Sequence, residues 1–218
     1  MEEMKLRVHE IFSSIQGEGV YTGYPTTFIR LSGCNLRCSY CDTKDSWDNT
    51  APELDLRELK LDLTKYNRND YYCITGGEPL LQKEQVISLA NWLVKRGKHV
   101  NIETNGSISI SEEDGLDDRV VITMDVKCPS SNMFSEQMIT NICMLGSQDE
   151  VKFVVGTEKD LDFVEAILKE HKILASTIIS IVAEEPDILK RVLYKLNNVS
   201  CFRKTRLGLQ LHKIIGVV

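Results

Sequence analysis

The feature that most limits how this chain can fold is a repeated alternation. Short, nearly continuous apolar runs give way to helix-patterned segments and then return. Candidate strands are Thr26–Leu31, Tyr71–Thr75, His99–Thr104, Arg119–Met124, Glu150–Val155, Thr177–Val182 and Phe202–Leu211. Most are continuously apolar, as strands of a covered parallel sheet should be. Between them, Gln82–Arg96 carries Val86, Leu89, Ala90, Leu93 and Val94 at helical spacing and stops at Gly97. Thr157 with Asp160 signals a second helix start, and Asp187–Leu196 reads as a third. Such alternation implies right-handed crossovers and a mostly parallel α/β sheet. Seven strands with fewer than eight helices are too few to close an eightfold barrel, so the pattern predicts a partial (β/α) barrel. No repeat, low-complexity tract or linker divides the sequence, which predicts one domain over residues 1–218.

In folds of this kind the functional loops follow the C-terminal ends of the strands. Here SGCNLRCSYC follows the first core strand, TGGEP the second, ETNG the third and DVKCP the fourth. Four motifs therefore fall where one active site would gather them. With 218 residues, 42% of them hydrophobic, the chain can bury its core without disulfides or a structural metal. A metal bound here is expected to do chemistry. A net charge of −6 argues against a nucleic-acid surface and for a small-molecule substrate. No run of 18 apolar residues and no basic-then-apolar leader is present, so a cytoplasmic protein is expected.

Of seven cysteines, three are crowded at Cys34, Cys38 and Cys41 in a C-x3-C-x2-C spacing. Chance gives that spacing in roughly one chain in 150 of such composition. Zinc would want a fourth Cys or His nearby, and none is there. Three thiolates can instead hold three irons of a four-iron, four-sulfur cluster and leave the fourth iron open. Cys73, Cys128, Cys143 and Cys201 lack ligand spacing and read as small buried core residues.

The other loops allow plain and functional readings. Gly76 and Gly77 let a ligand approach the backbone, and Glu78 can accept bonds from an ammonium group, although TGGEP could also be an ordinary turn. Glu103 and Asn105 can bind ribose hydroxyls, although Asn-Gly is a common turn pair. Lys127 could neutralise a carboxylate or stand solvated at the surface. Gln16 and Glu18, in SIQGEG, offer hydrogen-bonding groups suited to a planar, amide-rich heterocycle, and Arg30 could pair with a carboxylate. The Thr43 hydroxyl, just after Cys41-Asp42, is a hard oxygen ligand suited to Mg²⁺.

The cysteine spacing, with Tyr40 before its last member, resembles the signature of the radical S-adenosylmethionine superfamily. That resemblance implies a cluster whose open iron binds S-adenosylmethionine and splits it to a 5′-deoxyadenosyl radical, with TGGEP holding the methionyl amine. More narrowly, FSSIQGEGVYTGYPTTFIRLSGCNLRCSYCDT, TGGEP, ETNG and the QxHKxxG tail resemble the 7-carboxy-7-deazaguanine synthase family, from about residue 8 to the end. This implies hydrogen abstraction from C6 of 6-carboxy-5,6,7,8-tetrahydropterin, ring contraction and loss of ammonia, with S-adenosylmethionine regenerated. By motif, Ile15, Gln16, Gly17, Glu18, Arg30 and Thr75 would contact the pterin. Tyr40, Asp42, Gly76, Gly77, Glu78, Glu103, Asn105, Asp125 and Lys127 would serve S-adenosylmethionine. Thr43 would hold Mg²⁺, and His212 with the Val218 carboxylate would close the pocket. The resemblance also implies a homodimer, an external electron donor of flavodoxin or ferredoxin type, and a cluster loop over about residues 33–44.

Two departures stand out. Asp125-Val126-Lys127 replaces the Ser-Pro-Lys of many members, and Ile181–Glu184, a cofactor-lining strand end, carries no sharp motif. Residues 45–70 read only as a helix and a solvated connection. The rival readings are a glycyl-radical enzyme activase and a non-catalytic metal-binding module. The first would not need QGEG, Thr43 or the tail histidine, and the second would leave the glycine-rich loops without a purpose.

Overall fold

The computed structural model describes residues 4–66, 68–182 and 186–217. Its strands are β1 (Lys5–Ile15), β2 (Pro25–Leu31), β3 (Glu53–Asp55), β4 (Tyr71–Gly76), β5 (His99–Thr104), β6 (Val121–Lys127), β7 (Glu150–Val155), β8 (Ser176–Ile181) and β9 (Thr205–Leu207). They form one open sheet in the order β3-β1-β2-β4-β5-β6-β7-β8-β9. From β2 to β9 every neighbouring pair is parallel, whereas β1 runs antiparallel to both β2 and β3. This is the expected partial barrel with two antiparallel strands added at one edge. The helices are α1 (Leu56–Asp62), α2 (Lys83–Val94), α3 (Glu136–Ile142), α4 (Glu158–Glu170), α5 (Pro186–Asn198) and α6 (Leu211–Ile215). None is long and apolar enough to cross a membrane.

The parallel strands are not apolar on both sides, and this corrects the reading from the runs. Successive side chains point to opposite faces. Ile29, Leu31, Ile74, Val100, Ile102, Ile122, Val126, Val151, Phe153, Val155 and Ile179 share one face and form the core with Val86, Leu89 and Leu93 of α2 and Leu161 and Val164 of α4. The alternate positions, Arg30, Thr75, Glu103, Asp125, Lys127 and Lys152, take the other face and line a cavity. DVK therefore lies within β6 rather than after it.

The capping signal before α4 is a complete capping box, in which the Thr157 hydroxyl accepts from Asp160 N. Buried Asp160 also accepts from the amides of Ser130 and Gly156, at 2.9 and 3.0 Å, so one carboxylate pins the loop after β6 to the start of α4. The last predicted strand is shorter than expected. Only Thr205–Leu207 pairs with β8, and Phe202 sits in a preceding turn with its ring buried. Residues 45–70 contain the expected helix but also β3, and they bury Leu56, Leu59 and Leu63 against the core rather than forming a merely solvated link. Cys73 and Cys128 are buried as expected. Cys143 is exposed and Cys201 half-buried, so the core reading fails for Cys143.

Phe153 lies under α4 with no exposed surface. Phe153→Ala should cost about 3–5 kcal/mol of unfolding free energy, read from the midpoint of denaturant unfolding.

Candidate active site

The cysteine loop is held by backbone bonds at both ends. Gly33 N donates to Ser46 O at 2.9 Å and Cys34 N to Trp47 O at 3.0 Å. From the adjacent turn after β4, Gly77 N donates to Leu31 O at 3.1 Å and Glu78 N to Gly33 O at 2.8 Å. This close approach explains the paired glycines. A Cβ on Gly76 would overlap the Leu31 backbone, and one on Gly77 would overlap the Gly33 carbonyl. Gly76 also has φ 137°, which disfavours any residue with a Cβ.

Glu78 departs from its expected role. It is fully buried, and its carboxylate accepts from Leu80 N at 2.9 Å, the Thr104 hydroxyl at 2.8 Å and Asn105 N at 2.7 Å. Burial raises its pKa against these three donors. With its oxygens engaged inside the fold, Glu78 braces the β4 and β5 turns against each other and does not line the cavity.

Cys34, Cys38 and Cys41 all line a cavity of about 300 Å³. Leu36 N donates to Cys34 Sγ at 3.4 Å, and the Trp47 indole N–H donates to Cys41 Sγ at 3.2 Å. Thr43 Oγ1 lies 3.7 Å from Cys41 Sγ. Burial pushes the Cys34 and Cys38 thiols up, which leaves them protonated until a metal takes the place of the proton. Among the described residues no three Cys, His, Asp or Glu side chains converge on one ion position. Three thiols spread around one cavity suit a cluster, where each binds a different iron, better than a single ion. The all-sulfur donor set fits an iron–sulfur cluster on the same grounds.

Across the cavity the polar strand face forms one connected network. Asp125 and Lys152 are cross-strand neighbours in register. Asp125 Oδ2 pairs with Lys127 Nζ at 2.9 Å, and Asp125 Oδ1 pairs with Lys152 Nζ at 2.9 Å. Lys152 also meets Glu18 Oε2 at 2.6 Å. Glu103 accepts from Gln16 Nε2 at 3.1 Å and from the Thr75 hydroxyl at 3.2 Å. Burial alone would raise the Glu18 and Asp125 carboxyls, but Lys152 at Glu18, and Lys127 with Lys152 at Asp125, hold both below their ordinary values. Burial raises Glu103, with Lys152 opposing it. Lys127 is thus no solvated surface lysine, since Asp125 keeps it charged despite burial. The Asn105 amide donates to Asn35 Oδ1 at 3.1 Å, and its oxygen accepts from Ser107 N at 2.9 Å, which ties the β5 turn to the cysteine loop.

The segment between β1 and β2 folds across this face and meets the end of the chain. Leu211 N donates to Gly17 O at 2.9 Å, and Gln210 Nε2 donates to Glu18 Oε1 at 2.7 Å. The His212 ring packs against Gly17, where a Cβ would overlap the imidazole. Lys213 lies 3.6 Å from Asp42 of the cysteine loop. Arg30 donates to Glu10 at 2.7 Å and lies over Phe12, which stacks on Phe28 at 5.0 Å.

One cavity therefore gathers Ile15, Gln16, Gly17, Glu18, Arg30, the three cysteines, Tyr40, Asp42, Thr43, Thr75, Gly76, Gly77, Glu103, Asn105, Asp125, Lys127 and His212. Glu78 stands behind it. Val218 lies outside the described residues, as do Ala183 and Glu184 of the strand-end segment. Sequence reasoning missed Lys152, Trp47 and the Phe12–Phe28 stack. A signal existed for Lys152, because a lysine inside the apolar run EVKFVV needs a buried partner. Trp47 and the stack carried no such signal.

Residues 28–132 match the model of the Radical SAM superfamily. The chain is 45% identical over 212 residues to a 7-carboxy-7-deazaguanine synthase of Methanospirillum hungatei, covering 97% of this chain and 86% of that protein. It is 34% identical over 216 residues to the protein of the same name from Clostridium acetobutylicum, covering 97% and 96%. The crystal structure of QueE from Escherichia coli superposes with a TM-score of 0.77 over 96% of this chain and 95% of that one. At 23% identity, that likeness speaks for the fold.

Gly77→Ala should displace the cysteine loop by pushing on Gly33. Anaerobic reconstitution should then yield less bound iron per chain and weaker visible absorbance than wild type. Full iron content would show that the loop tolerates the shift.

Proposed function

The chain belongs to the 7-carboxy-7-deazaguanine synthase family of radical S-adenosylmethionine enzymes, and on that premise we propose that it converts 6-carboxy-5,6,7,8-tetrahydropterin to 7-carboxy-7-deazaguanine and ammonia. It is a lyase of 7-deazapurine biosynthesis that acts on a small molecule and uses a four-iron, four-sulfur cluster with S-adenosylmethionine. The observation that carries the reading is a single cavity with three thiols on one wall and Gln16, Glu18, Arg30 and His212 on the others.

A reduced cluster with S-adenosylmethionine supplies, when bound, a 5′-deoxyadenosyl radical able to take a hydrogen atom from substrate C6. The rest falls to the protein. Cys34, Cys38 and Cys41, on the loop of residues 33–44, hold the cluster. Gly76 and Gly77 offer backbone to the methionyl group, Lys127 meets its carboxylate, and Glu103, Asn105, Tyr40, Asp42 and Asp125 line the rest of the cofactor's place. Gln16, Glu18, Thr75 and Arg30, with the backbone of Ile15 and Gly17, hold the pterin, and Arg30 is suited to its carboxylate. Thr43 supplies an oxygen ligand for Mg²⁺, which would fix the substrate carboxylate as a template. His212 closes the pocket. An activase reading is disfavoured because it gives no role to Gln16, Glu18 and His212, which line the cavity together with the cysteines. The free thiols suit a reducing cytoplasm. A homodimer and a flavodoxin- or ferredoxin-like electron donor complete the assignment.

The test is anaerobic turnover of reconstituted protein with dithionite, S-adenosylmethionine, Mg²⁺ and the carboxylated pterin, followed by mass. Expected is loss of ammonia from the pterin without stoichiometric consumption of S-adenosylmethionine. Accumulating deoxyadenosine beside intact pterin would overturn the substrate. Thr43→Ala should raise the Mg²⁺ concentration needed for half-maximal rate, and an unchanged requirement would remove Thr43 as its ligand.

A further inference from the structure

Among the described residues, Lys152 is the buried cation whose ion pairs reach both sides of the cavity. It projects from the middle of β7 with its side chain 11% exposed. Its ammonium reaches Glu18, on the substrate loop, at 2.6 Å and Asp125, on the cofactor side, at 2.9 Å. Glu103 adds to the same negative surroundings, which keep Lys152 charged despite its burial. The two carboxylates are not equivalent. Asp125 has a second cation in Lys127, whereas among the described residues the Glu18 carboxylate is otherwise bonded to the neutral Gln210 amide.

We propose that Lys152 is a positioning residue for the reaction. It holds Glu18 in place as a carboxylate toward the pterin and ties that loop to the strand end that carries Asp125. This rests on the function given above. Without Lys152, Glu18 faces burial and the repulsion of Asp125, both of which raise its pKa, and only the Gln210 bond opposes them. Glu18 is then expected to take up a proton while Asp125 keeps Lys127. Glu103 also loses the cation that opposes its burial, so the Glu18 signal is the one that disappears when Glu18→Gln is added. Loss of the lysine should therefore harm substrate recognition more than cofactor binding.

The experiment compares reconstituted wild type, Lys152→Met, Lys152→Arg and the pair Lys152→Met with Glu18→Gln. In Lys152→Met the KM for the pterin should rise roughly 30-fold, as when one partner of a buried charge pair is removed. The Kd for S-adenosylmethionine should change far less, and more deoxyadenosine should form per product. Difference infrared spectra should show one protonated carboxyl in Lys152→Met that is absent from wild type and from the double variant. Lys152→Arg, which keeps the charge, should recover most of the KM. Equal losses for pterin and S-adenosylmethionine, or a Lys152→Met spectrum without the new band, would overturn the proposal. If Lys152→Met does not fold, the decision passes to Lys152→Arg and the double variant. A folded Lys152→Arg with no recovery of pterin KM relative to the double variant would then overturn it. If wild type leaves the pterin intact, the assigned reaction fails. The infrared comparison still decides whether Lys152 keeps Glu18 ionised.

Discussion

A strand shows successive side chains to opposite faces, and most of this structure follows from how the parallel strands use that alternation. One set of positions, from Ile29 and Leu31 through Phe153 to Ile179, is apolar and gives the helices a surface to cover. The interleaved set carries Arg30, Thr75, Glu103, Asp125, Lys127 and Lys152. Stability and chemistry are thus written on the same strands one residue apart. A slip of register by one residue would exchange them, burying charge under α2 and α4 and turning apolar side chains into the cavity. The cost of an unpaired buried charge makes that slip prohibitive, so the polar network also fixes the register of the sheet.

The second organising contact is the backbone meeting of two loops. Gly33 accepts from Glu78 N, and Leu31 accepts from Gly77 N, so the cysteine loop is fastened to the turn of the neighbouring strand before any ligand arrives. Glu78 secures that turn from behind through Leu80, Thr104 and Asn105. The glycines are explained by backbone crowding within the protein itself, and Glu78 by satisfying buried amides. A motif that serves a ligand across a family can therefore owe its residue types, in part, to internal packing.

The parallel strands and the helices α2, α4 and α5 were legible in the sequence because each is set by local periodicity and a nearby cap or glycine stop. β1 was not. Its polar, alternating KLRVHEIFSSI lacks the apolar run of a covered strand, and its place is set by pairing with β2, from Ile15 against Pro25 to Val8 against Leu31. β3 has only three residues and no pattern to find. At the site, the loop motifs were readable because spacing and residue type carry the chemistry. The polar strand face was only partly readable. Asp125 and Lys127 stood out beside a motif, whereas Lys152 sat within an apolar run whose neighbours drew attention away from it. Trp47 becomes relevant only through a fold in the cysteine loop that places its indole against Cys41.

The floor of the cavity is made by contacts between segments far apart in the chain. Gln210 meets Glu18 across 192 residues, and Lys152 meets Glu18 across 134. Contacts so distant in sequence carry the largest loop-closure entropy and become favourable only once the intervening strands are already paired. The helix-covered layer can assemble through short β–α–β steps, but the floor cannot. The pocket is therefore a product of long-range closure rather than of any one β–α–β unit. The cysteine loop is fastened to the neighbouring β4 turn and so belongs to the locally connected part of the molecule. The wall that faces it depends instead on contacts between distant parts of the sequence, so the two sides of one pocket rest on connections of very different length.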